Sequence, residues 1–332
     1  MKKKIISMLL CVAMTATMAI GCSSGGKEET KDTAEKTEKG TETKDLSDCK
    51  IGLSIHFKTD DYGVICSEGF EKACKDAGVE CQVQDANSDA SKQLSDIESF
   101  IAGKFDAIVV SPVDDQAVKD VINKATDAGI KVVTITHVPD AVVTSNIVAG
   151  NYDLSAEVCE KLCEAMDYKG KVAIMDISTN LWRTGQRLKA FEDTIGKYPD
   201  MEIVATEKKM TPDEAKTSAE NLLTAYPDLG GIFGTFSNVV YGAAAAARDA
   251  GNKDIVIGGV DADMSILELM KDGWVQAAAA QFPDSHGQLG AEAAIKALKG
   301  EKVDEEYNAK YKIYVAGEEK TAAEEVWGKT LE

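Results

Sequence analysis

The sequence holds no GxSxG nucleophile elbow, no HExxH pair and no glycine loop of the Walker kind. Those absences remove the standard hydrolase, zinc-protease and nucleotide sites. Gly230-Gly231 and Gly258-Gly259 lack the spacing of a dinucleotide fingerprint. No nucleophile–base constellation stands out, so an enzyme is not expected. Neither a CxxC motif nor a Cys/His cluster has metal-ligand spacing, and His56 and His137 with Asp60 fit no metal motif. The expectation is no metal and no cofactor. Basic charge is short as well: 37 Lys and Arg against 56 Asp and Glu leave a formal net charge of −19. Repulsion of that size excludes nucleic acid and an anionic membrane surface as partners. Beyond Ile20 there is no long apolar run, so the body has no predicted membrane span.

What is present begins with Lys2, Lys3 and Lys4, followed by an apolar run from Ile5 to Ile20 broken only by Ser7, Thr15 and Thr17. This reads as a secretory signal over residues 1–21. Ala19-Ile20-Gly21 before Cys22 resembles a bacterial lipobox, which implies cleavage before Cys22 and a lipid on its thiol. Acyl chains contribute about 0.8 kcal/mol per buried CH₂, enough to hold the protein on a membrane. Residues 22–48, dominated by Ser, Gly, Thr, Lys and Glu, read as a flexible tether. The predicted location is extracytoplasmic, anchored to the cell membrane.

Of the eight cysteines, Cys11 falls in the leader and Cys22 at the lipid site. Cys49, Cys66, Cys74, Cys81, Cys159 and Cys163 remain and read as small buried hydrophobes. A Cys49–Cys81 disulfide is the alternative, because both stand at the starts of strands expected to be neighbours.

Short β-rich runs recur along the body: Lys50–His56, Glu80–Gln84, Ala107–Ser111, Lys131–Thr136, Ser145–Ala149, Lys171–Asp176, Glu202–Thr206, Gly231–Thr235, Asp254–Val260 and Val275–Gln281. Most are continuously apolar, the pattern of strands covered on both faces. Segments of helical spacing lie between them, such as Glu68–Asp76, Ser91–Ile101, Asp115–Ala128, Leu154–Met166, Thr184–Lys197, Pro212–Ala225, Val239–Ala250 and Gln288–Leu298. Thr211-Pro212-Asp213-Glu214 is a capping box with proline at the first helical position. Gly78, Gly129 and Gly251 stand where a left-handed C-terminal glycine belongs. The alternation predicts an α/β fold with parallel sheets and right-handed crossovers. A body of about 280 residues favours two similar doubly wound lobes.

In such sheets ligands bind beyond the carboxyl ends of the strands. That rule selects His56, Phe57, Asp60, Asp61 and Tyr62 after the first strand and Ser111, Pro112 and Asp114 after the third. It selects Thr136 and His137 after the fourth, and Asn180, Trp182, Arg183 and Arg187 after the sixth. Phe236, Ser237, Asn238, Asp261, Asp263 and Gln281 complete the set. Aromatic faces pack on the C–H face of a sugar ring, and fixed polar groups take its hydroxyls. Asp261 has a competing reading as the N-cap of a helix near Met264, Gln281 as a hinge residue, and Trp182 as a surface cover.

Four stretches resemble the type I periplasmic binding proteins of the ribose-binding group. They are Ile51–Phe70 with Glu68-Gly69-Phe70, Phe105–Pro112, Ile257-Gly258-Gly259-Val260-Asp261 and Ala280-Gln281-Phe282-Pro283-Asp284. The resemblance implies two lobes joined by three crossings that close over one ligand. It implies a first lobe of 49–149 plus 283–310 and a second of 150–282 plus 311–332. By matching position, Asp60 stands where an asparagine takes hydroxyls and Tyr62 where an aromatic stacks. Ser111 replaces a binding asparagine, and Thr136 and His137 replace an aspartate–arginine pair. Asp261 and Gln281 match directly. Phe236 or Asn238 covers a further binding amide, and Arg183 or Arg187 supplies the arginine. The departures at Ser111, Thr136 and His137 set the chain apart from ribose binders.

The implied function is a solute-binding lipoprotein of an ABC importer, carrying a monosaccharide or related polyol as a monomer to permease and ATPase subunits. The alternative is a sensing subunit presenting a sugar to a membrane histidine kinase or chemoreceptor. A regulator of the lactose-repressor type is excluded by the leader and by the lack of a basic DNA-reading helix.

Overall fold

In the computed structural model, residues 45–59, 61–177 and 182–332 are described. The leader, Cys22, Asp60 and Asn180 lie outside the described residues. In chain order the first elements are β1 (Lys50–Ile55), α1 (Asp61–Ala77), β2 (Glu80–Asp85), α2 (Ala90–Ala102), β3 (Ala107–Val110), α3 (Lys119–Asp127), β4 (Lys131–Ile135) and β5 (Ser145–Val148). Next come α4 (Asn151–Ala165), β6 (Gly170–Asp176), α5 (Trp182–Ile195), β7 (Met201–Lys208), α6 (Pro212–Ala225), β8 (Leu229–Gly234), α7 (Ser237–Ala250), β9 (Val256–Val260) and α8 (Met264–Lys271). The last are β10 (Ala277–Gln281), α9 (Pro283–Leu298), β11 (Glu306–Asn308), β12 (Tyr311–Val315) and α10 (Glu319–Trp327).

These strands form two six-stranded sheets with one topology. The first runs β11-β5-β4-β3-β1-β2 and the second β12-β10-β9-β8-β6-β7. All pairings are parallel except β12 against β10. The continuous apolar strands are explained by cover on both faces. On β3, Ala107 and Val109 pack with Cys66 and Phe70 of α1 and Ala291 of α9, while Ile108 and Val110 pack with Ile97 of α2 and Ile122 of α3. On β6, Val172 and Ile174 meet Leu162 of α4 and Phe191 of α5, while Ala173 and Met175 meet Ala219 of α6 and Ala243 of α7. The fold is therefore two doubly wound α/β lobes.

All ten predicted strands are present. The sequence reading missed β11 and β12, which are short edge strands interrupted by polar residues. It also started α1 at Glu68 and α9 at Gln288, whereas the helices begin at Asp61 and Pro283. Helix α3 starts four residues later than expected, because Asp114 accepts from the backbone N–H groups of Gln116 and Ala117 and makes a turn there. The capping box at Thr211 forms, and Gly78, Gly129 and Gly251 take positive φ of 71°, 86° and 66°.

The chain passes between the sheets three times, from β5 to α4, from β10 to α9, and from β11 to β12. Gly150 turns the first passage with a φ of 59°, a region open to glycine at no steric cost. After the second passage α9 lies along α1. A Cβ on Gly69 would sit 2.3 Å from the Asp284 carbonyl oxygen, and one on Gly287 would sit 1.8 Å from that of Cys66. Only glycine allows that approach, which gives Gly69 within Glu68-Gly69-Phe70 a packing role.

The Cys49–Cys81 disulfide does not form. Cys49 Sγ donates to the Asp45 carbonyl oxygen at 3.4 Å, and Cys81 neighbours the thiol of Cys74. In the parallel register Cys81 is opposite Ile51, so Cys49 lies beyond the end of the paired segment. No described helix is long and apolar enough to cross a membrane.

Candidate functional site

Where the carboxyl ends of the two sheets meet, they enclose a cavity of about 610 Å³. From the first sheet come His56 and Phe57 after β1, Asp61 and Tyr62 at the start of α1, and Thr136 after β4. From the second come Arg183 and Arg187 one turn apart on α5, Phe236 and Asn238 at the start of α7, Asp261 after β9 and Gln281 ending β10. Asn151, Ser237, Ala262, Asp263, Met264 and Trp327 fill the remaining wall.

The two lobes present the site through equivalent turns. Thr136 follows the fourth strand of the first lobe with φ 65°, and Asp261 follows the fourth strand of the second with φ 75°. Left-handed backbone is uncommon outside glycine and is held only where surroundings enforce it. Each is pinned by an extra ladder bond: Thr136 N–H donates to Ile147 O at 2.7 Å and Asp261 N–H to Ala279 O at 2.9 Å. Both strained residues face the cavity.

In the second lobe the polar groups hold one another. Gln281 Nε2 donates to Asp261 Oδ1 at 2.6 Å, and Arg187 approaches Asp261 Oδ2 at 3.5 Å. Arg187 also donates from Nε to Asn151 Oδ1 (2.9 Å) and from an Nη to Thr235 O (3.0 Å), and its guanidinium lies 4.2 Å from the Phe236 ring centre. Burial presses the Arg187 pKa down and Asp261 opposes that. The N-cap of α8 is Asp263, which accepts from Ile266 N–H at 3.1 Å, so capping does not account for Asp261. Asn238 donates to Met210 O at 2.6 Å, which turns its amide to the rim.

The first lobe contributes neutral rings. His56 Nδ1 lies 2.7 Å from Ser111 Oγ, with Phe57 edge-on at 4.7 Å and Tyr62 at 5.9 Å between ring centres. Burial above all, with the Arg183 charge nearby, lowers His56 to about 3. Behind it Gln93 of α2 braces the loop after β3, donating to Ser111 O (2.9 Å) and accepting from Val113 N–H (2.7 Å).

His137 connects the lobes. Its Nδ1 is 2.7 Å from Asp115 Oδ1, and its Nε2 contacts an Nη of Arg183. A guanidinium only donates, so Nε2 accepts and Nδ1–H donates to Asp115: a neutral imidazole of one tautomer. Burial lowers its pKa, against the opposing pull of Asp115. A second bridge joins Lys329, just past α10, to Asp61 at 2.5 Å.

Thirteen of the residues selected from strand ends line the cavity: His56, Phe57, Asp61, Tyr62, Thr136, Arg183, Arg187, Phe236, Ser237, Asn238, Asp261, Asp263 and Gln281. Ser111 and His137 stand one layer back, and Trp182 is outside the lining with 37% exposure. Sequence reasoning missed Asn151, whose signal is the Gly150-Asn151 step at a crossing, and Asp115, the first residue of the predicted helical segment Asp115–Ala128. It also missed Trp327, which donates from Nε1 to Ala262 O at 2.8 Å from a helix that ends no β-unit of the site.

Twin doubly wound sheets around one shared cavity define the type I periplasmic binding protein architecture. The family described as "Periplasmic binding protein domain" matches residues 51–302. The chain is 31% identical over 271 residues to the ribose import binding protein of Bacillus subtilis, covering 79% of this chain and 86% of the relative. It is 29% identical over 287 residues to a putative rhizopine-binding protein of Rhizobium meliloti, covering 82% and 90%. Among solved structures it resembles a sugar-binding protein of a sugar ABC transporter from Bacillus halodurans, with TM-score 0.76, 25% identity and coverage of 82% and 98%. It also resembles an ABC transporter solute-binding protein from Actinobacillus succinogenes with bound D-allose, with TM-score 0.73, 25% identity and coverage of 82% and 99%. The chain belongs to the type I periplasmic binding protein family, in its ribose and monosaccharide group.

Proposed function

We propose that the chain is the solute-binding lipoprotein of an ABC importer and holds a monosaccharide or related polyol between its lobes. The observation that carries this is the cavity of about 610 Å³, walled by strand ends of both sheets. The volume suits one sugar-sized solute. Tyr62 and Phe57 offer faces to ring C–H groups, and Asp261, Gln281, Arg187 and Asn151 offer hydroxyl partners. A ligand touching both walls stabilises the closed form by differential affinity, and the importer reads the closed shape. Relatives named for ribose and allose import or binding support the solute class.

The lobes in this reading are 49–149 with 283–310 and 150–282 with 311–332, because β11 and α9 pack with the first sheet and β12 and α10 with the second. Lipidation at Cys22 after removal of residues 1–21, with 22–48 as tether, would hold the body outside the membrane. The test is isothermal titration and thermal shift against monosaccharides and polyols. A binder should raise the melting temperature in step with its occupancy. Absence of any stabilising sugar or polyol would overturn the proposal.

A further inference from the structure

Two guanidinium groups face one aromatic ring in this cavity, and among the described residues only one has an acid. Arg187 and Arg183 lie 4.2 Å and 5.6 Å from the Phe236 ring centre. Arg187 is met by Asp261 at 3.5 Å. Among the described residues no carboxylate comes within ion-pair distance of Arg183, whose partner is the neutral His137 ring. The described carboxylates lining the cavity are committed elsewhere. Asp61 pairs with Lys329 at 2.5 Å, Asp263 takes Ser265 Oγ at 2.6 Å and the α8 backbone, and Asp261 takes Gln281 and Arg187. Asp115 is separated from Arg183 by the imidazole.

A half-buried cation beside a second, buried cation gains when an anion joins them. Burial first, then the neighbouring Arg187 charge, bring the Arg183 guanidinium down to about 10. Its remaining N–H donors match the fork geometry of a carboxylate. A neutral hydroxyl would fill the space but leave the charge uncompensated.

We propose that Arg183 makes the site selective for an acidic sugar, a monosaccharide or polyol carrying one carboxylate. The carboxylate sits against Arg183 beside Phe236, while the hydroxyls meet Asp261, Gln281 and Tyr62. This rests on the sugar-binding reading and narrows its ligand to the sugar-acid class. The chemistry involves no bond making; the selectivity is a difference in charge-assisted hydrogen bonding.

The test is calorimetry with matched pairs differing in one carboxylate: D-glucose and D-glucuronate, D-galactose and D-galacturonate, D-ribose and D-ribonate. At least one acid should bind at least about tenfold tighter than its neutral partner, with an affinity that falls as salt rises. Arg183→Gln should erase that preference, and Arg183→Lys, which keeps the charge without the fork, should keep part of it. Should either variant fail to fold, the pairwise preference and salt dependence of the unmodified protein decide. A neutral sugar that binds while no acid is preferred overturns this inference and leaves sugar binding standing. So does an acid preference that survives Arg183→Gln. Failure of every compound to bind sinks the sugar-binding reading and this inference together.

Discussion

The two walls of the cavity share a topology and differ in chemistry. The first lobe presents His56, Phe57, Tyr62 and Thr136, rings and a hydroxyl, with Asp61 its one lining carboxylate among the described residues, tied to Lys329. The second presents two guanidinium groups, two carboxylates and three amides, of which Arg187, Asp261, Gln281 and Asn151 bond one another before any ligand arrives. Equivalent left-handed turns therefore carry Thr136 in one lobe and Asp261 in the other. The backbone fixes where a side chain points, and the residue at that point decides whether the wall stacks or pairs. A wall of preorganised ions binds without reordering, and a wall of rings supplies contact area that tolerates small changes.

The largest break of that asymmetry is Arg187→Ala. It strands Asn151, Thr235 O and Asp261 in a buried site, and removing one partner of a buried ion pair costs about 3–5 kcal/mol. Sugar binding should be lost in calorimetry, and the melting temperature should fall.

Next comes acid. All three histidines belong to the first lobe or the helix packed on it: His56, His137 and His286. Burial lowers each, to about 3 for His56, to about 4 for His286, and below the ordinary value for His137. The unfolded chain then binds more protons between about pH 6.5 and these values, so stability is complete above pH 6.5 and declines as pH falls toward 4. Thermal melts from pH 7.5 to 4.5 should show this decline, and hydrogen exchange should place early opening in the first lobe.

A smaller effect is expected from Asp261→Ala and Gln281→Ala, each weakening binding by about 1–3 kcal/mol. Because the two side chains bond at 2.6 Å, the double variant should lose less than the sum. Additive losses in the titrations would show that they act independently. On the opposite wall, Tyr62→Phe should bind nearly as the parent, while Tyr62→Ala should lose about 1 kcal/mol of stacking. Last is Lys329→Ala. Both partners of its bridge to Asp61 are 46% exposed, so affinity and stability should shift by less than about 0.5 kcal/mol.

Most of this site was legible because the rule for strand ends is geometric. A continuously apolar strand such as Ala107–Val110 announces cover on both faces, and the residues just past its carboxyl end must face the sheet edge where ligands collect. The rule fails where a residue reaches the cavity by another route. Trp327 arrives from the C-terminal helix, and Asn151 from a crossing. It also fails for layers. Ser111 and His137 end strands as predicted but stand behind His56 and beside Arg183, because the ring or guanidinium in front of each takes the wall. Sequence order carries no depth. Asp115 opens the helical segment Asp115–Ala128 in the sequence; Asp114 does the turning, and Asp115 is left to meet a histidine 22 residues away. The edge strands β11 and β12 escaped because they are short, of three and five residues, and polar residues such as Glu306, Asn308 and Lys312 interrupt the apolar signal.

Those two strands carry a consequence for how the molecule is made. The β11 strand closes the first sheet against β5 and β12 closes the second against β10, and only Ala309 and Lys310 separate them. Neither lobe has its full complement until nearly the entire polypeptide has left the ribosome. An incomplete chain displays two open ladder edges at once. A stop codon shortly after Gly300 would thus disable both halves together, and a chain still threading through a membrane pore would stay pliant until its final stretch emerged.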